Sequence, residues 1–99
     1  MMKPCLEVVS YRLKQDVSAE TFMRYVNILQ EALSGRTGFI KREVFFNAES
    51  GVWVEIAEWE SHEAAKQCEA KIMQEPFMAE AMGLIDEATI QMHFVKQVI

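Results

Sequence analysis

The order in which the hydrophobic pattern changes its period constrains this chain most. Alternating and helical segments follow one another as strand, helix, strand, hairpin turn, strand, helix and strand, and together they use nearly all of the 99 residues. Nothing is left over to build a second core, so a single domain spanning residues 1–99 is expected. Two helices falling on one side of a small sheet cover only one of its faces. The other face then needs a cover of its own, so the pattern speaks about self-association as well as architecture.

The elements follow from local chemistry. Leu6 to Leu13 reads as the first strand, with Val8, Val9 and Tyr11 favouring extended backbone. Ser18 has the side chain of an N-cap, able to accept from the free amides of a helical first turn. Phe22, Val26, Leu29 and Leu33 then recur at helical spacing, and Ser34-Gly35 ends that helix. Phe39 to Phe46 is extended, Asn47-Ala48-Glu49-Ser50-Gly51 has the composition of a hairpin loop, and Val52 to Glu60 returns as the third strand. Ser61 caps a second helix with Ala65, Cys68 and Ile72 on one side. Pro76 lacks the amide a helix interior needs and is read as starting a fresh helical turn that carries Phe77, Met78, Ala81, Met82 and Ile85. The last strand, Thr89 to Val98, alternates with Ile90, Met92 and Phe94 on one face and Gln91 and His93 on the other.

Both faces of the sheet are rich in large apolar groups. The third strand sets Val52, Val54 and Ile56 against Trp53, Ala57 and Trp59, and the first sets Leu6 and Val8 against Val9, Tyr11 and Leu13. A second copy of the chain, related by a two-fold axis, is the simplest cover for the uncovered face. A homodimer with sheet facing sheet is therefore expected, with Trp53 and Tyr11 on the face that meets the partner. The net charge of -5 argues against nucleic acid, whose phosphates favour a basic surface. No apolar run is long enough to span a bilayer, and none resembles a signal-peptide core, so a cytoplasmic protein without membrane attachment is expected. Cys5 and Cys68 are too few for a disulfide framework and lack metal-ligand spacing.

The run Val52-Trp53-Val54-Glu55-Ile56-Ala57-Glu58-Trp59-Glu60-Ser61-His62-Glu63-Ala64-Ala65 resembles the third-strand signature of antibiotic-biosynthesis-monooxygenase-type domains, in which a strand ends in Trp before an acidic residue, a serine cap and an Ala-containing helix. The helix break at Glu75-Pro76-Phe77 sits where such domains break theirs. The resemblance implies an α+β, ferredoxin-like βαββαβ fold whose four-stranded antiparallel sheet pairs into a dimeric α+β barrel. Members of that superfamily include cofactor-independent oxygenases of aromatic polyketides, quinol monooxygenases and haem-degrading enzymes. This chain departs from the pattern in places. Ala57 stands where many members carry Glu, Cys68 where they commonly carry His, and Phe77 follows Pro76 where a second His often appears. Against the haem-degrading template the chain offers Tyr11, Cys68 and Ala81, which argues against that chemistry.

Several residues are candidates for a site. His93, on the polar face of the last strand, has an imidazole suited to taking a proton from a phenol or hydroquinone, or else is an inert histidine at a dimer rim. Tyr11, Tyr25 and Trp53 can stack on or anchor a small aromatic ligand, with Phe77 and Met82 as further walls. Trp59, at the strand end, reads as structural, and His62, in the first turn of its helix, as solvated. Met73, Met78 and Met82 suit a pocket between helix and sheet, or ordinary core. Cys68, mid-helix on an apolar stripe, is expected to be neutral and inert. Glu7, Glu43, Glu55 and Glu58 lie in strands, where pairing with Lys41, Arg42 or Arg12 is the expected use. No zinc spacing, phosphate cradle or dinucleotide fingerprint is present, so neither a metal nor a tightly bound organic cofactor is expected. Two functions fit: a cofactor-independent monooxygenase of a small aromatic or quinol, and a homodimeric small-ligand-binding or accessory protein on the same fold.

Overall fold

Alternation in the strands and the position of each cap carry over into three dimensions. A computed structural model describes residues 3–99. Its elements are β1 (Cys5–Leu13), α1 (Ala19–Leu33), β2 (Phe39–Asn47), β3 (Val52–Trp59), α2 (His62–Ile72), α3 (Pro76–Met82) and β4 (Ile85–Lys96). The strands form one antiparallel sheet in the order β2-β3-β1-β4, the ferredoxin-like α+β arrangement. No helix among the described residues is long and apolar enough to cross a membrane.

Each helix begins where its cap satisfies free amides. Ser18 Oγ accepts from Thr21 N at 3.1 Å, and Ser61 Oγ accepts from Ala64 N at 3.1 Å. Pro76 opens α3 at a position where a missing amide costs nothing, splitting the second helical stretch as its chemistry requires. Gly38 marks a close approach: its φ is +82°, and a Cβ there would lie 2.4 Å from Ala64 Cβ. The start of β2 is thereby pressed against the first turn of α2, and the Glu60 amide donates to the Gly38 carbonyl at 2.8 Å.

The helices cover the face that carries Cys5, Glu7, Val9, Tyr11, Trp53, Glu55, Ala57 and Trp59. Tyr11 and Trp53 are 4% and 3% exposed, so their face meets helices; the expectation that it meets a partner sheet is corrected. The reason is size. Phe22 of α1 places its ring edge-on to both, at centroid distances of 5.8 Å from Tyr11 and 5.1 Å from Trp53. Contacts of this kind add about 0.5–1.5 kcal/mol each beyond burial, and they need the depth that a helix layer provides. Trp59, only 1% exposed, packs in the same way on Phe39 at 5.4 Å. The face left open bears Leu6 and Val8 of β1, Val52, Val54 and Ile56 of β3, Phe45 of β2, and His93 and Val95 of β4.

β4 departs from its expected start at Thr89 by reaching back to Ile85. Its pairing with β1 passes from Gln91 opposite Ser10 to Asp86 opposite Arg12, so extra residues bulge out beside Tyr11. Local bonds stabilise the bulge. Thr89 Oγ1 donates to the Asp86 carbonyl at 2.6 Å, Ala88 N donates to Asp86 Oδ1 at 3.2 Å, and Arg12 N donates to Thr89 Oγ1 at 2.9 Å. The side-chain bonds replace ladder bonds, which alternation in the sequence alone does not reveal.

A candidate active site between helices and sheet

Bulky strand residues and the split second helix hold the helices far enough from the sheet to leave a cavity of about 410 Å3. Its walls are almost wholly apolar. α1 supplies Phe22, Val26, Leu29 and Leu33, α2 and its C-cap supply Ile72 and Met73, α3 supplies Met78 and Met82, and β4 supplies Ile90 and Met92. Met73, Met78 and Met82, which suited either a pocket or ordinary core, line this space. Unbranched methionines adapt to ligands of differing outline better than branched side chains do.

Polar groups enter the cavity in two sets, one from the sheet and one from the sheet and α2. In the first, Arg42 of β2 and Glu55 of β3 form an ion pair, with Arg42 Nη2 2.8 Å and Nε 2.9 Å from Glu55 Oε1. Arg42 Nη1 also donates to the Val26 carbonyl at 3.1 Å and to Gln30 Oε1 at 3.2 Å, which ties the pair to α1. The Tyr11 hydroxyl donates to the other oxygen, Glu55 Oε2. Burial, and then the Glu55 carboxylate, raise the Tyr11 phenol far above its ordinary range, so it stays a donor.

The second set is Glu7 of β1 and Glu69 of α2. Glu7 Oε1 accepts the Trp59 indole N–H at 3.0 Å. Burial, together with the Glu69 carboxyl beside it, pushes the Glu7 carboxyl up to about 8. Of the strand acids, Glu55 pairs with Arg42 and Glu58 with Lys41 (3.8 Å) across strands, while Glu43 lies 3.7 Å from Lys41 on the same strand. Glu7 has no cation partner among the described residues.

The candidate residues fall in different places. Tyr11, Tyr25 and Met82 line the cavity. Tyr25 stands at its rim, where its hydroxyl donates to Glu80 Oε2 of α3 at 3.0 Å and links the two helices that flank the opening. Trp53 and Phe77 pack in the two halves of the core and do not line the cavity. His93 lies opposite Val8 on the open face of the sheet, away from the cavity within one chain. His62 is exposed and rests its ring on Phe94, with centroids 4.4 Å apart. Cys68 is buried and its thiol is pushed up by burial, as its apolar stripe suggests. The cavity roles of Glu7, Glu55, Glu69 and Arg42 were not anticipated. Alternation does carry a signal for the strand pair, since it places Glu7 and Glu55 on the stripe shared with Tyr11, Trp53 and Trp59.

This architecture, a four-stranded antiparallel sheet with split helices over one face, is a ferredoxin-like α+β fold shared with solved structures that include a cofactor-independent oxygenase. Among solved structures, the chain superposes on a single-site variant of SnoaB, a cofactor-independent oxygenase from Streptomyces nogalater, with a TM-score of 0.83 and 14% identity over 99% of this chain and 96% of that one. A Nitrosomonas europaea protein proposed to be an antibiotic biosynthesis monooxygenase matches with a TM-score of 0.75 and 10% identity, covering 99% and 94% of the two chains. A conserved protein from Methanosarcina mazei Go1 matches with 0.74 and 16%, covering 97% and 94%. No family model matches the sequence, and no curated protein matches it.

Proposed function

We propose that this protein is a cofactor-independent monooxygenase of a small hydroxylated aromatic or quinol. The observation that carries the reading is the apolar cavity between helices and sheet, with two polar sets on its wall and the Tyr25 hydroxyl at its rim. A flat aromatic ring fits such a lining. The polar sets orient its hydroxyl groups, while the apolar walls exclude water from a reactive anion. The fold shared with a cofactor-independent oxygenase supports the same class of chemistry. Once a proton is removed, the electron-rich ring reduces dioxygen directly. One oxygen atom enters the ring, and the other leaves as water with the two hydrogens the substrate gives up. Tyr11 and Tyr25 are the proposed anchors and Met82 a wall; Trp53 and Phe77 act from behind the lining by holding it in place.

Oxygen uptake by the purified, metal-stripped protein against a panel of hydroquinones and hydroxylated polycyclic aromatics tests this reading. Uptake with formation of an oxygenated product is expected. A flat trace with ligands that nonetheless raise the melting temperature would overturn it in favour of a binding protein. His93→Gln is expected to leave uptake within about twofold, because the imidazole points away from the cavity.

The same reading includes a homodimer built through the open sheet face, where Val54, Ile56, Leu6 and Val8 form an apolar strip beside Phe45 and Val95. Val54→Lys puts a charge at the centre of that strip and is expected to halve the mass measured by light scattering. An unchanged dimer would move the interface elsewhere.

A further inference from the structure

The ion-paired set leaves one buried carboxyl of the cavity unused. Glu7 is 9% exposed, lines the cavity, and commits one oxygen to the Trp59 indole. Its other hydrogen-bonding contact among the described residues is the Glu69 carboxyl, and Arg42, the buried cation of the site, is engaged by Glu55, Val26 and Gln30. The titratable groups that bear on Glu7 are all acidic: Glu69 and Cys68 from α2, and Glu55 from β3. α1 and β4 bring the cavity apolar side chains and the Tyr25 phenol. Buried without a cation, the carboxylate form of such a group gains most from a ligand that donates a hydrogen bond or a proton to it.

We propose that Glu7, with Glu69 beside it, accepts the hydroxyl proton of an uncharged hydroxyaromatic bound in the cavity, and so selects a hydroxylated ring over an ether or an anion. The ligand's O–H bond breaks, a new O–H bond forms on the Glu7 carboxylate, and the electron pair stays on the ligand oxygen. An ordinary carboxylate lies about six pK units below a phenol and is a poor acceptor of its proton. Burial, which pushes Glu7 up to about 8, makes its carboxylate a stronger proton acceptor than an exposed one. A ligand that arrives as an anion adds its charge to the carboxylate, whereas proton transfer from a neutral hydroxyl leaves the net charge of the site unchanged. The inference deepens the oxygenase reading and rests on it for the reaction with oxygen after proton transfer; binding can be tested without turnover.

Calorimetric titration of the protein at about pH 8 with 1-naphthol, 1-methoxynaphthalene and 1-naphthoate makes the test. The naphthol is expected to bind at least about tenfold tighter than the ether, and the naphthoate weakest. Glu7→Gln keeps an acceptor for the Trp59 indole and is expected to bring the naphthol within about twofold of the ether without weakening the ether. In the unmodified protein, the ratio of naphthol to ether affinity is expected to grow as pH rises from about 6 to about 8.5, as Glu7 ionises. Equal affinities in the unmodified protein, no binding of either ligand, a preference retained by Glu7→Gln, or a ratio flat with pH would each overturn the assignment. Oxygen uptake decides the parent reading separately. A naphthol preference without uptake keeps the proton-accepting site and removes the oxygenase, and uptake without a preference does the reverse.

Discussion

Glu7 and Glu55 sit on neighbouring strands, on the same face of the sheet, and line the same cavity, yet they are held in opposite ways. Glu55 meets a guanidinium that is itself tied to α1, and its second oxygen takes the Tyr11 hydroxyl. Every strong hydrogen-bonding group of that cluster has a partner, so it acts as a clamp between β1, β2, β3 and α1. Glu7 meets an indole N–H on one side and another carboxyl on the other. One carboxyl is compensated and contributes structure; the other is left uncompensated at a cost in stability. Residues left so are found where chemistry needs them more often than chance placement would give.

The largest expected effect comes from breaking the compensated side. Arg42→Met removes the cation and leaves Glu55 buried against apolar walls, with an expected loss of about 3–5 kcal/mol in urea denaturation. The double variant Arg42→Met with Glu55→Met removes both charges and is expected to recover most of that loss. A double variant no more stable than the single one would mean that Arg42 acts through its bonds to Val26 and Gln30, with the ion pair secondary.

The uncompensated side responds to pH. The folded-state value for Glu7, about 8, lies above its unfolded value of 4.5, so between these limits the native state holds more proton than the unfolded chain. Its contribution is therefore fully present below about 4.5 and is lost as pH rises through about 8, with a slope approaching 1.4 kcal/mol per pH unit. Glu7→Gln is expected to remove that slope, matching the parent near pH 5 and exceeding it near pH 9. Denaturation curves of both proteins at the two pH values check the sign. A variant less stable at the higher pH would show that Glu7 is compensated after all.

The contrast between these two carboxyls also shows how far the sequence could be read. Strand periodicity placed Glu7, Tyr11, Glu55 and Trp59 on shared stripes, and caps at Ser18, Ser61 and Pro76 fixed the helices, because these signals are local in the chain. Which sheet face the helices cover is a tertiary outcome. It depends on whether Phe22 packs on Tyr11 and Trp53 or the aliphatic strip beneath faces the helices, and both faces were apolar enough to allow either. Glu69 and Glu7 are brought together by the docking of α2 on the sheet, which no spacing records. His93 is conspicuous in the sequence because imidazoles as a class titrate near neutral pH, whereas a carboxyl acquires comparable chemistry only from burial that the sequence does not state.

The smallest effect tests the join between the two sides. Tyr11 stands on β1 with Glu7 but gives its hydroxyl to Glu55, so it links the clamp to the strand that carries the uncompensated acid. Tyr11→Phe keeps the ring packed on Phe22 and removes one hydrogen bond, with an expected cost of about 1 kcal/mol. Because Arg42 still compensates Glu55, this loss is expected to be independent of pH between about 5 and 9, unlike that at Glu7. In Arg42→Met the same substitution leaves Glu55 without its last strong donor and is expected to cost more than it does in the parent. A double-mutant cycle on Tyr11 and Arg42 measures that coupling; strict additivity would mean that the phenol and the guanidinium hold Glu55 independently and that the clamp is two separate contacts.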